Sequence, residues 1–192
     1  GFGRFGQIVG RLLMANDIPV TVLDNSAGHI ERVRRFGYKV FYGDAERADL
    51  LHTAGASNAR LLIVAVDDRN KTNAIVEMAK KHYPHLKVLT RAYDVVHYHE
   101  LHALGADVIE REVFLGSLKL GETALRQLGM RANQAHRNAL QFARHDQLSI
   151  EQLGEHQFAS QLYVSESRRA QEEVVELLKE DSLHPLEDVE HD

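Results

Sequence analysis

The 192-residue sequence predicts an α/β fold, a doubly wound parallel sheet followed by a helical C-terminal region. Three observations predict it. Short apolar runs that do not alternate with polar residues, as in a parallel sheet covered on both faces, are each followed by a helical pattern. A glycine-rich motif precedes the first helical pattern. After about residue 112 the strand patterns stop, and only helical patterns follow.

Strands and helices alternate over residues 6–109. Short β-branched or apolar runs predict five strands, at 20–24 (VTVLD), 39–42 (KVFY), 61–66 (LLIVAV), 86–90 (LKVLT) and 107–109 (DVI). Apolar residues at helical spacing predict helices at 6–16, 26–36, 48–54, 72–82 and 94–104. Ser26 is a predicted N-cap, and Gly37 ends the second of these helices.

The charge distribution changes near residue 150. Residues 1–150 carry 20 Lys/Arg and 16 Asp/Glu, whereas 151–192 carry 3 and 12, and the whole chain has a net charge of −5. We predict an α/β unit at 1–112, a long helix with a helical subdomain at 113–180, and an acidic tail at 181–192. Within the subdomain the patterns predict helices at 115–129, 138–144 and 158–179.

Composition also excludes several classes of function. The acidic balance argues against a dedicated nucleic-acid-binding protein, which normally has a basic excess. The sequence contains no cysteine, so disulfides, thiolate metal sites and thiol nucleophiles are excluded. Apolar runs stay well short of the roughly 18 residues that a membrane-spanning helix needs.

Gly1, Gly3 and Gly6 match the motif G-x-G-x-x-G of Rossmann-like nucleotide-binding folds. The first glycine permits a tight turn, the second lets a phosphate approach the backbone, and the third lets helix and strand pack closely. A phosphate then lies at the helix N-terminus, where free N–H groups and the helix dipole favour an anion. Because the motif follows a strand in such folds, we expect a central strand upstream of Gly1, in a longer protein.

Asp24 ends the predicted strand 20–24, 18 residues after Gly6, close to the spacing of the acidic residue that binds the ribose in these folds. Its carboxylate can accept both hydroxyls of an adenosine ribose and would repel a 2′-phosphate. The sequence therefore favours NAD(H) or a mononucleotide such as AMP over NADP(H).

Other strand ends are expected to complete the crevice, because ligands of open α/β sheets bind outside the carboxyl ends of the strands. Gly43, Asp44 and Ala45 are expected near the adenine, while Asp67 and Asp68 either line the phosphate or ribose side or act as turn and cap residues. The predicted nucleotide site comprises Gly1, Gly3, Arg4, Phe5, Gly6, Asp24, Asn25, Gly43, Asp44, Ala45, Val66, Asp67 and Arg91.

No catalytic residue is predicted, because no recognisable acid–base pair or substrate domain follows the last strand. His97, Tyr98, His99 and His102 form a histidine-rich patch on one predicted helix. The spacing of His99 and His102 could seat a metal, but no third ligand has a clear spacing. A surface helix is therefore the favoured interpretation.

Two arginines are candidates for a second anionic ligand. Arg4 and Arg11 lie on one face of the first predicted helix, and Arg4 can reach the phosphate. Arg11 lies nearly two turns further on, too far for the same phosphate, so it pairs with a carboxylate or binds a second anion. Arg111 lies between two glutamates, and local pairing with them is favoured. Guanidinium groups bind carboxylates through two parallel hydrogen bonds.

Five stretches carry a resemblance to a known family: GFGRFGQIVGRLL, VTVLD, GYKVFYGDAERADLLHTAGA, HYPHLKVLTRA and EREVFLGSLKLG. Together they resemble the nucleotide-binding domain (KTN/RCK, TrkA-N type) of the bacterial glutathione-gated potassium efflux systems, the Kef family. The resemblance covers residues 1 to about 150, and the block 36–56 is specific to this group.

The resemblance implies a regulatory domain, not an enzyme, on the cytoplasmic face of the bacterial inner membrane, attached to its own upstream transmembrane antiport domain. It implies a homodimer through a crossover helix at about 114–128 and an adenine nucleotide, AMP or NAD(H), in the crevice. Glutathione would keep potassium efflux closed, and glutathione S-conjugates would open it while protons enter. A flavodoxin-like quinone reductase is an ancillary activator of such systems.

In the family, glutathione contacts an arginine on the first helix, an arginine after the last strand and an asparagine in the following helices. These positions correspond to Arg11, Arg111 and Asp146 in this sequence. Asp146 departs from the family pattern. An aspartate would repel a glutathione carboxylate but could accept a hydrogen bond from its amide or amine groups.

Two alternatives stay open. One is a sensor of another potassium transporter or channel, controlled by NAD(H) or ATP instead of glutathione. The other is the dinucleotide-binding half of a dehydrogenase, which the absence of a recognisable catalytic domain in the sequence disfavours.

Overall fold

The computed structural model describes residues 1–35, 37, 39–153, 169, 172–176 and 179. The chain divides into two compact units, Gly1–Glu112 and Val113–Asp192, which are described in turn. The predicted acidic tail at 181–192 and most of the predicted helix at 158–179 lie outside the described residues.

The first unit alternates helices and strands. Its strands are β1 (Thr21–Asp24), β2 (Lys39–Tyr42), β3 (Leu61–Val64), β4 (Lys87–Ala92) and β5 (Val108–Arg111). Its helices are α1 (Arg4–Met14), α2 (Ala27–Arg35), α3 (Ala48–Thr53), α4 (Arg69–His82) and α5 (Val95–Ala103). In the described residues β1 pairs with β2, and β4 pairs with β3 and β5, all in parallel. The predicted class, parallel strands flanked by helices, is confirmed.

Side-chain caps set the start of two helices. Asp68 accepts the backbone N–H of Lys71 at 2.9 Å and caps α4, so this helix begins at Arg69, earlier than predicted. Asp94 accepts the N–H of His97 at 2.7 Å and caps α5 in the same way. Of the two expectations for Asp68, the cap is therefore the one found in the structure.

The parallel register brings strand ends together. Asp24 lies opposite Tyr42 where β1 and β2 end, and Ala92 lies opposite Arg111 where β4 and β5 end. Because paired strands run in the same direction, the loops that follow them leave from the same edge of the sheet. This edge is where the sequence predicts the nucleotide crevice.

The main core of the first unit lies between β3, β4 and the helices α4 and α5. Its buried members are Val64, Ile75, Val76, Ala79, Val88, Ala92 and Leu101. Each large apolar side chain buried in this way contributes roughly 1.5–3 kcal/mol. A second cluster joins Phe2 to Val22 of β1 and Val33 of α2, and so anchors the amino-terminal residues beside β1.

Helix α1 buries small residues in place of its large apolar ones. Gly6 and Gly10 are buried, whereas Ile8 and Leu12 are 68% and 65% exposed. The periodicity of the sequence thus predicts the helix correctly but not the side on which it packs. A Cβ atom on Gly6 would overlap the carbonyl oxygen of Gly1, so glycine is required for this close approach.

The second unit contains two helices that contact each other, α6 (Phe114–Gln127) and α7 (Ala132–Leu153), joined by a turn in which Gly129 has φ +98°. The separately predicted helix at 138–144 is only the middle of α7. Oε2 of Glu122 on α6 lies 3.6 Å from Nδ1 of His136 on α7. Among the described residues, no helix has the length and apolar character needed to cross a membrane.

Candidate nucleotide site

The glycine loop, residues 1–6, leads directly into α1. Gly3 is the N-cap of α1 and makes no side-chain capping bond, and the first turn contains no acidic residue. The first N–H groups of α1 therefore have no capping carboxylate from their own turn, an arrangement that suits a bound phosphate. A Cβ atom on Gly3 would lie 3.8 Å from Oδ1 of Asp67, so the loop is open on this side except for that carboxylate.

Asp24 anchors the glycine loop to the end of β1. Its Oδ2 accepts the backbone N–H of Phe2 at 2.6 Å, and its Oδ1 accepts the N–H of Ser26 at 2.7 Å. Burial alone would raise the pKa of Asp24, but these hydrogen bonds outweigh it and hold the pKa below its usual value. The carboxylate is therefore ionised at neutral pH and already placed beside the loop.

Asp24 is only 7% exposed, and it has a structural role that sequence reasoning missed. The predicted role, accepting ribose hydroxyls, would use the lone pairs that the two backbone bonds leave free. The missed role is the attachment of the loop to β1. His29 on α2, with Nδ1 3.5 Å from Oδ1 of Asp24, was also missed, and its position three residues after Ser26 gave no distinctive signal.

The segment after β2 lies beside the same strand end. The N–H of Gly43 donates to the carbonyl oxygen of Asp24 at 3.0 Å, which joins this segment to β1. Gly43 has φ +157°, and a Cβ atom there would overlap Leu50 of α3. Ala45, the last residue of the predicted adenine segment, packs against the main core. Asn25, directly after Asp24, is exposed.

Asp44 is held by a lysine that the sequence analysis did not select. Its Oδ1 accepts the N–H of Glu46 at 3.1 Å, and its Oδ2 lies 3.4 Å from Nζ of Lys71 on the first turn of α4. The hydrogen bond from Glu46, followed by the charge of Lys71, lowers the pKa of Asp44. The contact between Asp44 and Lys71 connects the segment after β2, where the adenine is predicted to bind, to the beginning of α4.

Arg91 is the buried centre of an ion cluster at the ends of β3, β4 and β5. Its Nε donates to the carbonyl of Val66 at 3.1 Å, and its Nη2 donates to Oδ1 of Asp67 at 2.8 Å. Its Nη1 lies 3.0 Å from Oε1 of Glu112, and the guanidinium lies 5.4 Å from the ring centroid of Phe5. The structure thus brings three of the predicted site residues, Val66, Asp67 and Phe5, into contact with a fourth, Arg91.

Glu112 is the partner of Arg91 that the sequence analysis missed. The sequence placed Glu112 next to Arg111 and favoured local pairing, whereas in the structure its carboxylate reaches Arg91, which precedes it by 21 residues. The parallel pairing of β4 and β5 makes this contact possible, since Glu112 directly follows β5.

The histidine-rich patch is only partly a surface feature, which corrects the expectation from the sequence: His102 is exposed and Tyr98 is half-buried, but the other two members are not. His97 and His99 on α5 are buried. Nδ1 of His97 accepts the N–H of Tyr93 at 3.1 Å, and Nε2 lies 3.0 Å from Oδ1 of Asn73 on α4. Burial lowers the pKa of both histidines. In the described part of the chain no three histidine, aspartate or glutamate side chains form a metal-binding group.

The three predicted glutathione contacts lie in different places. Arg11 is exposed on α1, and Arg111 is the half-buried last residue of β5, both in the first unit. Asp146 is half-buried on α7, in the second unit. Arg4, predicted to reach the phosphate, is the exposed first residue of α1.

Together, the glycine loop, the anchored aspartate at the next strand end and the parallel sheet define the class of Rossmann-type domains. The family model for the TrkA-N domain matches residues 1–112, and the model for the potassium efflux system KefB C-terminal domain matches residues 116–192. The chain belongs to the TrkA-N family and is a regulatory domain of the Kef type, not an enzyme.

Individual relatives agree with this membership. The glutathione-regulated potassium-efflux system protein KefC of Escherichia coli O139:H28 is 42% identical over 184 residues, which are 96% of this chain and 30% of KefC. The chain thus spans about 30% of the length of this curated relative.

Solved structures give the same result. The Kef C-terminal domain of Shewanella denitrificans, in an AMP-bound form, has 44% identity and a TM-score of 0.75, covering 80% of this chain and 94% of that chain. The TrkA-N domain of the Escherichia coli inner membrane protein YbaL has 25% identity and a TM-score of 0.58, covering 67% of this chain and 92% of that chain.

Proposed function

We propose that the chain is the ligand-sensing domain of a potassium/proton efflux system, holding an adenine nucleotide in its crevice and gated by glutathione and glutathione S-conjugates. The main support is the glycine loop anchored by Asp24, in a chain 44% identical to a domain solved with AMP. The proposal of glutathione control is supported by the resemblance to KefC and by the candidate residues Arg11 and Arg111.

The nucleotide would bind through groups that the structure already positions. The N–H groups at the start of α1 and the guanidinium of Arg4 would hold the phosphate. The carboxylate of Asp24 would accept the ribose hydroxyls, and the segment containing Asp44 would contact the adenine. The bound nucleotide would join the ends of β1 and β2 to the glycine loop. Its main contribution would therefore be to stabilise the domain.

Glutathione is a tripeptide with two carboxylates, and arginine is the side chain best suited to bind them. We assign Arg11 and Arg111 to this binding, with Asp146 accepting from an amide or amine of the ligand. The ligand would bias two arrangements of a dimer, and it shifts such an equilibrium only through a difference in affinity. Glutathione would favour the closed form, and a bulky S-substituent would favour the open one.

Assembly follows from the same proposal. Helix α6 buries none of its residues in the single chain, and Leu115 and Leu120 are about two-thirds exposed or more. We propose that α6 is the crossover helix of a homodimer. The dimer would be attached to a transmembrane domain of the same protein at the cytoplasmic face of the bacterial inner membrane, where a flavodoxin-like quinone reductase could dock as an ancillary subunit.

The test is calorimetry with a glutathione S-conjugate and with AMP on the purified protein. Arg11→Ala and Arg111→Ala should each weaken conjugate binding about tenfold or more and leave AMP binding unchanged. Arg60→Ala, at another exposed arginine of the first unit, is the matched control and should bind both ligands like the wild type. Unchanged conjugate affinity in both variants would overturn the assignment of these arginines.

A further variant and a ligand screen separate the remaining alternatives. Asp146→Asn, which restores the family's asparagine, tests the acceptor role of Asp146. Loss of the charged acceptor should weaken conjugate binding, whereas an increase in conjugate affinity would show that the carboxylate repels the ligand and would overturn this assignment. A thermal-shift screen with AMP, NADH, ATP and a conjugate identifies the ligand class. Stabilisation by NADH or ATP but not by a conjugate would favour the sensor of another potassium transporter or channel.

A further inference from the structure

We propose that Asp67, held in place by Arg91, restricts the crevice to a nucleoside monophosphate by opposing the second phosphate of a dinucleotide. The inference rests on the proposed function, because it assumes that an adenine nucleotide binds at the glycine loop. It goes further by naming the residue that selects between two ligands which the sequence leaves open, AMP and NAD(H).

The first step is the position of Asp67. Its Oδ1 is the nearest heavy atom to a Cβ built on Gly3, at 3.8 Å, so the carboxylate faces the glycine loop. The side chain is 87% exposed and therefore projects into solvent above the loop. Asp67 comes three residues after the end of β3, whereas Asp24 is the last residue of β1. The two carboxylates thus belong to the two different sheets on either side of the loop.

The second step is the path of a dinucleotide. Rossmann folds consist of two mononucleotide-binding halves, and a dinucleotide crosses from one to the other at the loop. With the adenosine half at β1 and β2, the second phosphate and ribose must pass toward the ends of β3, β4 and β5. Asp67 lies at the beginning of that path, so its negative charge opposes the second phosphate.

The third step is the state of Arg91, the cation closest to Asp67. Its three nitrogens already contact the carbonyl of Val66 and the carboxylates of Asp67 and Glu112. Since Arg91 is buried, it cannot swing out to bind a phosphate without leaving these partners.

A single phosphate avoids this obstacle. It can stay at the N-terminus of α1, where the N–H groups and Arg4 oppose its charge. The second phosphate of a dinucleotide would meet the Asp67 carboxylate in place of such donors. The crevice should therefore bind AMP more tightly than NADH.

The experiment compares AMP and NADH binding by calorimetry in the wild type, Asp67→Asn and Asp68→Asn. We expect the wild type to prefer AMP at least tenfold. Asp67→Asn should raise NADH affinity about tenfold relative to AMP, because it removes the repulsion and leaves Arg91 with one carboxylate fewer. Asp68→Asn is the matched control: it removes the same charge one residue away, and asparagine also caps helices well.

The outcomes are distinct. An AMP-to-NADH preference in Asp67→Asn equal to that of the wild type overturns the inference but leaves the proposed function intact, as does a wild type that binds both equally. An equal change in Asp68→Asn also overturns it, because net charge alone would then explain the effect. If neither nucleotide binds the wild type, the proposed function fails and the inference fails with it. Thermal unfolding of each variant confirms that the comparison is made on folded protein.

Discussion

The carboxylate of Asp24 accepts the backbone N–H of Phe2 at 2.6 Å, so the acidic residue of the nucleotide crevice also holds the glycine loop. The contact is buried and spans 22 residues of sequence. It couples the proposed ribose side of the site to the proposed phosphate side. Any change at Asp24 should consequently affect both stability and nucleotide binding.

Asp24→Asn tests this coupling. The amide has one acceptor oxygen, so it cannot keep both charge-assisted bonds to Phe2 and Ser26. We expect a loss of about 1–3 kcal/mol in the free energy of unfolding, measured by urea denaturation, with weaker AMP binding in calorimetry. Asp49→Asn is the control, because Asp49 is an exposed partner of Arg47 and its loss should leave the free energy of unfolding nearly unchanged. Equal stability of the two variants would show that the Phe2 contact contributes little.

Gly43→Ala tests the segment after β2. A side chain there would adopt an unfavourable φ of +157° and overlap Leu50, so we expect about 1–3 kcal/mol of destabilisation. Gly28→Ala on α2 is the matched control, since a Cβ atom there meets no heavy atom within 4 Å. It should leave stability unchanged or raise it slightly. Denaturation curves in which both variants unfold alike would contradict this account of Gly43.

Local patterns predicted much of this molecule. The β-branched run ending at Asp24 and the glycine motif depend only on neighbouring residues, and in the structure Asp24 ends β1 and is hydrogen-bonded to the glycine loop. The pairing of Arg91 with Glu112 was not predictable in this way, because it depends on the parallel pairing of two strands distant in sequence. The register between strands that are distant in sequence determines which charged side chains come into contact. A single sequence does not show that register directly.

Burial was the second feature that local patterns did not reveal. The large residues Ile8 and Leu12 repeat at helical spacing, yet the buried side of α1 is formed by Gly6 and Gly10. Close approach of α1 to its neighbours requires the absence of side chains on that side. Similarly, His97 has a polar side chain but is buried because Tyr93 and Asn73 satisfy both ring nitrogens.

Variants of Asp107 and Lys80 test which contacts fix the beginning of β5 beside β4. Oδ2 of Asp107 accepts from Nζ of Lys80 at 2.6 Å and from the backbone N–H of Val88 at 2.7 Å. Lys80→Met removes only the partly exposed ion pair and should cost under about 1 kcal/mol. Asp107→Ala also leaves the Val88 N–H without its acceptor and should cost about 1–3 kcal/mol. Asp107→Asn keeps an acceptor and should resemble Lys80→Met; if it unfolds as readily as Asp107→Ala in urea, the backbone bond is not the main contribution.

His97 should make stability depend on pH near neutrality. Its Nδ1 accepts the Tyr93 N–H, so the ring is neutral in the fold, with Nε2 as the donor to Asn73. Burial, followed by the charge of Arg69, lowers its pKa, while Glu100 and Asp94 oppose this effect more weakly. The unfolded chain therefore takes up the proton at a higher pH than the folded chain.

The sign follows from that difference. As pH falls below the ordinary histidine pKa of about 6.5, the unfolded state gains protons first, so the free energy of unfolding decreases toward pH 5. His97→Asn keeps an acceptor for the Tyr93 N–H but does not titrate. Urea denaturation at pH 7, 6 and 5 should show a smaller decrease for this variant, by on the order of 1 kcal/mol, with a remaining slope from the buried His99. Parallel pH profiles for the variant and the wild type would mean that His97 protonates equally well in both states.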